Sequence, residues 1–152
     1  MLTFFLFACA TKEDFSQESP DVILAREYLE EFSDFETWAQ DPLWEGVHPS
    51  QSAHGAAVQI WLNDLAIASL ENGEPYPDGA AIIKEGYVDE EGSQRKALTL
   101  MVKQEGFAPE SGDWFWASYS DTDEVQTAGS PEFCVSCHAA SSSDYVLFVE
   151  EE

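Results

Sequence analysis

Positive charge is scarce in this chain. Six Lys and Arg residues stand against thirty Asp and Glu, giving a formal net charge of −24 over 152 residues. Phosphate recognition needs clustered cations, so nucleic acid is excluded as a partner and docking on anionic lipid is disfavoured. Solvation is the simplest account of such an acidic coat; steering of a basic redox partner is its functional counterpart. Long apolar runs are missing too. The longest near the start, residues 2–8, falls well below the roughly 20 residues a membrane-spanning helix needs. No internal repeat is visible. What remains is ample for a folded body: apolar residues make up 44% and aromatics 13% of the chain, enough for one domain with a real core.

Cysteine and histidine are rare, at three each, yet three of the six fall together in Cys134-Val135-Ser136-Cys137-His138. This is the C-x-x-C-H signature of covalent haem attachment. On a helix, residues three apart share a face, so both thiols can reach the edge of one flat macrocycle and add to its vinyl groups as thioethers. His138 would then turn its imidazole under the iron as the proximal metal ligand. Two other chemistries use paired cysteines. A redox disulfide normally sits near a βαβ pattern, and none surrounds this motif. A zinc site would need a further ligand, for which only Cys9, His48 and His54 are left. One covalently bound haem c, held by Cys134, Cys137 and His138, is the reading of this motif.

The N-terminus points the same way. Leu6-Phe7-Ala8-Cys9 resembles a bacterial lipobox, in which a small residue precedes a cysteine that becomes lipidated. The run lacks the basic start of a complete export signal, so residues 1–9 read as a truncated lipoprotein-type signal. Residues 10–19 read as a polar linker and residues 20–152 as the haem domain. A buried apolar strand with a free thiol is the alternative for residues 2–9. In bacteria, C-x-x-C-H attachment takes place outside the cytoplasm. The expected location is therefore the periplasm or cell envelope, with Cys9 as a candidate lipid anchor.

Ser19-Pro20-Asp21 is a helix start, with a Ser cap, Pro at the first position and acid in the first turn. The 3–4 spacing of Val22, Leu24, Ala25, Tyr28, Leu29 and Phe32 predicts a helix to about Phe35. Strands are predicted at Ala56–Leu62, Ala80–Glu85, Ala97–Lys103 and the aromatic run Asp113–Tyr119, with a closing strand at Tyr145–Val149. A short helix is expected from Asn63 to Leu70, ended by Asn72-Gly73, and Gly86–Arg95 reads as a polar hairpin connection. Gly129-Ser130-Pro131 opens the short haem-binding helix. One leading helix followed by strands without alternation argues α+β: an antiparallel β-sheet with a leading helix and a short C-terminal haem-binding helix.

With the haem motif and these strands in hand, three segments carry a family resemblance. They are Tyr76-Pro77-Asp78-Gly79-Ala80-Ala81-Ile82-Ile83-Lys84-Glu85, then Gly112-Asp113-Trp114-Phe115-Trp116-Ala117-Ser118-Tyr119, then the haem motif followed by Asp144-Tyr145-Val146-Leu147-Phe148. In order and spacing, over roughly residues 55–150, they resemble the cytochrome P-460 family and its relative cytochrome c′-beta. The resemblance implies a homodimer with a five-coordinate haem and an open distal pocket. It also implies small nitrogen-oxide chemistry, either hydroxylamine oxidation or nitric oxide binding. Lys84 stands where the family's lysine is cross-linked to the haem ring, which makes it a candidate cofactor-binding residue; the alternative is a strand-end lysine that reaches solvent or pairs with Glu85. Thr99 stands where the family's enzymes place a distal carboxylate. A hydroxyl is a poor general base near neutral pH, so no catalytic residue is assigned and enzyme activity stays open, with Glu85 and Glu105 as alternative acids. A non-catalytic electron carrier is the second reading, its sixth iron position closed by His54 or Met101; His48 is a weaker candidate.

Overall fold

The computed structural model describes residues 18–147. The expected export segment with Cys9, most of the linker, and the last residues of the expected closing strand lie outside the described residues. The first helix, α1, spans Pro20–Glu31; the Ser19 hydroxyl accepts the Val22 N–H at its start, with Pro20 inside the first turn. It stops about four residues short of expectation. The bonds at its end tighten to the three-residue spacing, Ser33 N–H to the Glu30 carbonyl and Phe35 N–H to the Phe32 carbonyl, and the chain passes into a single 3₁₀ turn at Phe35–Thr37. Phe32 then stacks on Tyr28 and meets Trp38 edge-on, at centroid distances of 5.4 and 5.1 Å.

Six strands follow: β1 (His48–Pro49), β2 (Ala57–Leu62), β3 (Ala81–Tyr87), β4 (Arg95–Lys103), β5 (Trp114–Ser120) and β6 (Val125–Gly129). They form one antiparallel sheet in sequential order. Helix α2 (Asp64–Asn72) links β2 to β3, capped by the Asn63 side chain and closed by Gly73 in the left-handed region at φ 64°. Helix α3 (Glu132–His138) carries the paired cysteines and His138. The fold is therefore α+β, with a leading helix and a short C-terminal helix on an antiparallel sheet.

Beyond the two-residue β1, which no expected strand covers, two strands differ from expectation. β6 is short and mostly polar, so no alternation announces it; it is recruited by backbone pairing with β5. The described part of the expected closing strand, Tyr145–Leu147, is not a strand. Asp144 and Tyr145 both take left-handed backbone angles, φ 48° and 63°, because their polar groups are claimed by other elements, as shown below.

Strand alternation divides the sheet into two apolar faces. On one, Ala81, Ile83, Leu98, Leu100, Val102, Phe115 and Tyr119 pack beneath Ala25, Leu24, Tyr28 and Leu29 of α1. On the other lie Ile60, Leu62, Ile82, Met101, Trp114 and Trp116, covered by Ala66 and Ile67 of α2 and by Cys134 and Val135 of α3. The Tyr119 hydroxyl ties α1 to the first face by donating to the Ala25 carbonyl at 2.6 Å, fully buried. Removing that hydroxyl deletes one buried hydrogen bond, while the carbonyl keeps its place in the helical ladder. Tyr119→Phe is expected to lower the unfolding free energy by about 0.5–1.5 kcal/mol, read from the urea midpoint; an unchanged midpoint would show that this bond does not hold α1 down.

Candidate cofactor site

The second face of the sheet carries a row of cross-strand neighbours: Ile60, Lys84, Thr99 and Ser118, paired in register through β2 to β5. The adjacent row holds Leu62, Ile82, Met101 and Trp116. Above these rows opens a narrow cleft, bounded by α3 and the loop before β2, with His54 and His138 both on its wall. Its lining is mainly apolar with a few polar groups, the composition of a small-molecule or cofactor site.

His138 ends α3 and is only 7% exposed. Its Nδ1 lies 2.8 Å from the Tyr145 carbonyl. A carbonyl only accepts, so Nδ1 carries the proton and Nε2 keeps its lone pair for a metal. Burial lowers the ring's proton affinity, opposed by the Tyr145 bond, and Lys84 lowers it further; the imidazole stays neutral, as a ligand must. The Tyr145 carbonyl is in turn held by its neighbour. The Asp144 carboxylate takes the Lys103 ammonium at 2.6 Å, and its carbonyl takes the Trp114 indole N–H at 2.8 Å. These bonds explain the left-handed turn where a strand was expected.

Cys134 is half-buried against the second face, and burial raises its thiol's pKa, helped by nearby Cys137; Cys137 is exposed. Both thiols are free. Among the described residues, no group of three or more His, Cys, Asp or Glu side chains converges to hold a metal ion. Lys84 lines the cleft, and burial brings its ammonium down to about 8, with Cys137 opposing. Its amine is thus neutral for part of the time near neutral pH. Glu85, its neighbour, is on the opposite face, buried and bonded to the Trp61 indole N–H and the Tyr87 hydroxyl at 3.2 and 3.1 Å. The Lys84–Glu85 pairing weighed from the sequence therefore does not form, and Glu85 has no access to the cleft.

Thr99 lines the cleft, 3.3 Å from His54 Nδ1. Met101 lines it too. Glu105 is exposed in a turn, where its N–H donates to Asp78. His48 packs on Trp44 at 4.3 Å, outside the cleft.

Two contributors escaped the sequence reading. Trp116 meets the His138 ring edge-on at 4.7 Å, and its buried indole N–H has no hydrogen-bond partner. Such an orphan donor is costly in a dry cleft, and a bound group with acceptor oxygens would satisfy it. Gly86 is the second. A side chain there would run into the His54 carbonyl oxygen, and one at Gly55 into the Tyr87 backbone. This close backbone approach sets the His54 loop on the sheet, and Gly86 belongs to β3 and not to the hairpin connection. A neutral imidazole with a free Nε2, two thiols on the same short helix, an apolar slot and an unmet donor together fit haem.

A family model described as Cytochrome P460 matches residues 33–149. No curated protein matches the chain.

The buried imidazoles make a pH prediction. Burial, then Lys84, His138 and Lys96, push His54 from 6.5 down to about 3. A pKa depressed on folding means that the unfolded chain takes up the proton first. Stability of the haem-free protein is thus held above about pH 6.5 and lost as pH falls toward 3. Denaturation of haem-free protein across this window should show a shallower loss for His54→Gln than for the parent. Equal slopes would place the ring in water.

Proposed function

The chain belongs to the cytochrome P460 family and is therefore a haem protein, and on that footing we propose an exported cytochrome with one covalently attached haem c that binds small nitrogen oxides, nitric oxide first. Cys134 and Cys137 supply the two thioethers and His138 the proximal ligand. Bound there, the haem would supply an iron able to take up a small ligand within the apolar cleft. Ile60, Ile82 and Met101 limit water in that cleft, which favours a small neutral ligand over a charged one. The Asp144–Tyr145 turn orients His138 and strengthens its basicity through the Nδ1 bond.

One observation separates binding from hydroxylamine oxidation. Oxidation requires a group that removes protons at the distal position. Thr99 occupies the place where the family's enzymes have an acid, Glu85 lies on the far face and Glu105 in an exposed turn. Among the described residues that line it, the cleft can donate a hydrogen bond to a ligand but offers no carboxylate. An electron carrier, the second reading of the sequence, would keep its iron closed to added ligands. The same proposal includes a homodimer in the periplasm or envelope, a Cys9 lipid anchor, and a redox partner with a basic face to match the charge of −24.

Two measurements test this reading. Haem should remain with the denatured protein through acid–organic extraction and be lost from the Cys134→Ser/Cys137→Ser double variant; extraction from the parent would end the covalent assignment. Carbon monoxide or nitric oxide should shift the Soret band of the reduced protein, while hydroxylamine plus an electron acceptor gives no turnover above the protein-free rate. Steady turnover would replace binding by catalysis. We also assign Lys84 to the haem edge. In a proteolytic digest its peptide should travel with the Cys134–Cys137 haem peptide, and an unlinked Lys84 would leave two tethers only.

A further inference from the structure

We infer that His54 is the resting sixth ligand of the haem iron, so that an incoming ligand has to displace it. This rests on the haem reading of the cleft and concerns the regulation of that same site.

The two imidazoles come from unrelated parts of the chain, the loop before β2 and the end of α3, yet share one cleft. Their ring centroids are 6.2 Å apart with planes at 88°. Two imidazole nitrogens each about 2 Å from a shared metal, and each about 1 Å from its own ring centre, place the centroids about 6 Å apart. The observed separation matches that expected for a single iron held between them.

The hydrogen bonds select the matching tautomer. The Thr99 hydroxyl has one proton and lies 3.3 Å from both the Lys84 carbonyl and His54 Nδ1. The carbonyl can only accept, so the hydroxyl donates there, and its oxygen accepts from Nδ1–H of His54. Nε2 of His54 is left with a lone pair and no proton, the same state that the Tyr145 carbonyl imposes on His138. Each ring is thus tied at Nδ1 and presents Nε2 as a ligand atom.

The loop is also held in place. The His54 carbonyl lies against Gly86, Gly55 against Tyr87, and the Lys96 ammonium donates to the Ala53 carbonyl at 3.1 Å. Met101 shares the cleft, but its thioether is the weaker ligand for ferric iron. Displacement is a simple exchange: the iron–Nε2 bond breaks, the lone pair of the incoming ligand takes its place, and no proton or electron is transferred.

The test uses the intact holoprotein. Its ferric form should be low-spin with a two-histidine signature in electron paramagnetic resonance and near-infrared magnetic circular dichroism. His54→Ala and the bulkier His54→Gln should both turn high-spin, and free imidazole should restore the low-spin spectrum of the alanine variant. Carbon monoxide binding to the ferrous parent should reach a rate plateau set by His54 release. The variants should bind without a plateau and about tenfold faster at high ligand, since a competent iron no longer has to be freed first. A high-spin parent, or a low-spin spectrum that survives in His54→Gln and disappears in Met101→Leu, would overturn the inference. If neither variant folds, the parent's own spectrum still decides between two histidines, histidine–methionine and an open iron. Loss of haem on extraction instead defeats the attachment reading, so the two failures are distinct.

Discussion

A sheet that is apolar on both faces is the constraint on which the rest of this molecule depends. Every residue from Ala81 to Ile83, and from Leu98 to Val102 except Thr99, is buried, so neither side can be left to water. Among the described residues α1 is the longest helix, and it covers one side only. The two shorter helices reach part of the other and leave a cleft among Ile60, Ile82, Met101 and Trp116. A flat apolar cofactor completes that layer as a third helix would in a larger protein. It brings acceptor groups that an aliphatic filler lacks, and the orphan Trp116 N–H is one donor that could use them.

The functional side chains on this face are placed by backbone contacts and not by long side-chain networks. His138 takes its orientation from the Tyr145 carbonyl, which sits in a left-handed turn anchored by Lys103 and Trp114. Two non-glycine residues with positive φ in succession are strained. The three bonds on Asp144 and Tyr145 offset that cost. On the other wall, His54 is placed by the near-contact of Gly86 and Gly55 with neighbouring backbone. In both cases the imidazole is fixed through Nδ1, so the histidines differ in sequence context while sharing one chemical state.

Much of this was legible in the sequence. The C-x-x-C-H spacing needs only local chemistry, and the alternation of β2 to β5 follows from the pleat. Even the sharing of a face by Ala80, Ile82 and Lys84 could be read from period two. What escaped reading depends on distant partners. β6 carries no apolar pattern because its stability comes from pairing with β5. Tyr145–Leu147 looked like part of a strand because its apolar residues match one, and only Lys103, Trp114 and His138 convert it to a turn. Gly86 looked like a hairpin glycine, whereas its role is to let another backbone come close. The place of Glu85 on the far face was implied by the alternation that put Lys84 on the near one.

The scarcity of cations acquires a structural meaning from their positions. Of the six, Lys84 faces the cleft, Lys103 anchors the Asp144 turn and Lys96 holds the His54 loop. Arg26 and Arg95 pair with Glu18 and Asp123, and Lys12 lies outside the described residues. The three lysines that touch the site do structural work there and leave little positive charge to offset the acidic exterior. A field of one sign around a small domain repels copies of itself and attracts cationic surfaces over about a Debye length. For the redox partner proposed above, this places selectivity in the approach and leaves the cleft free to select its ligand by size and polarity.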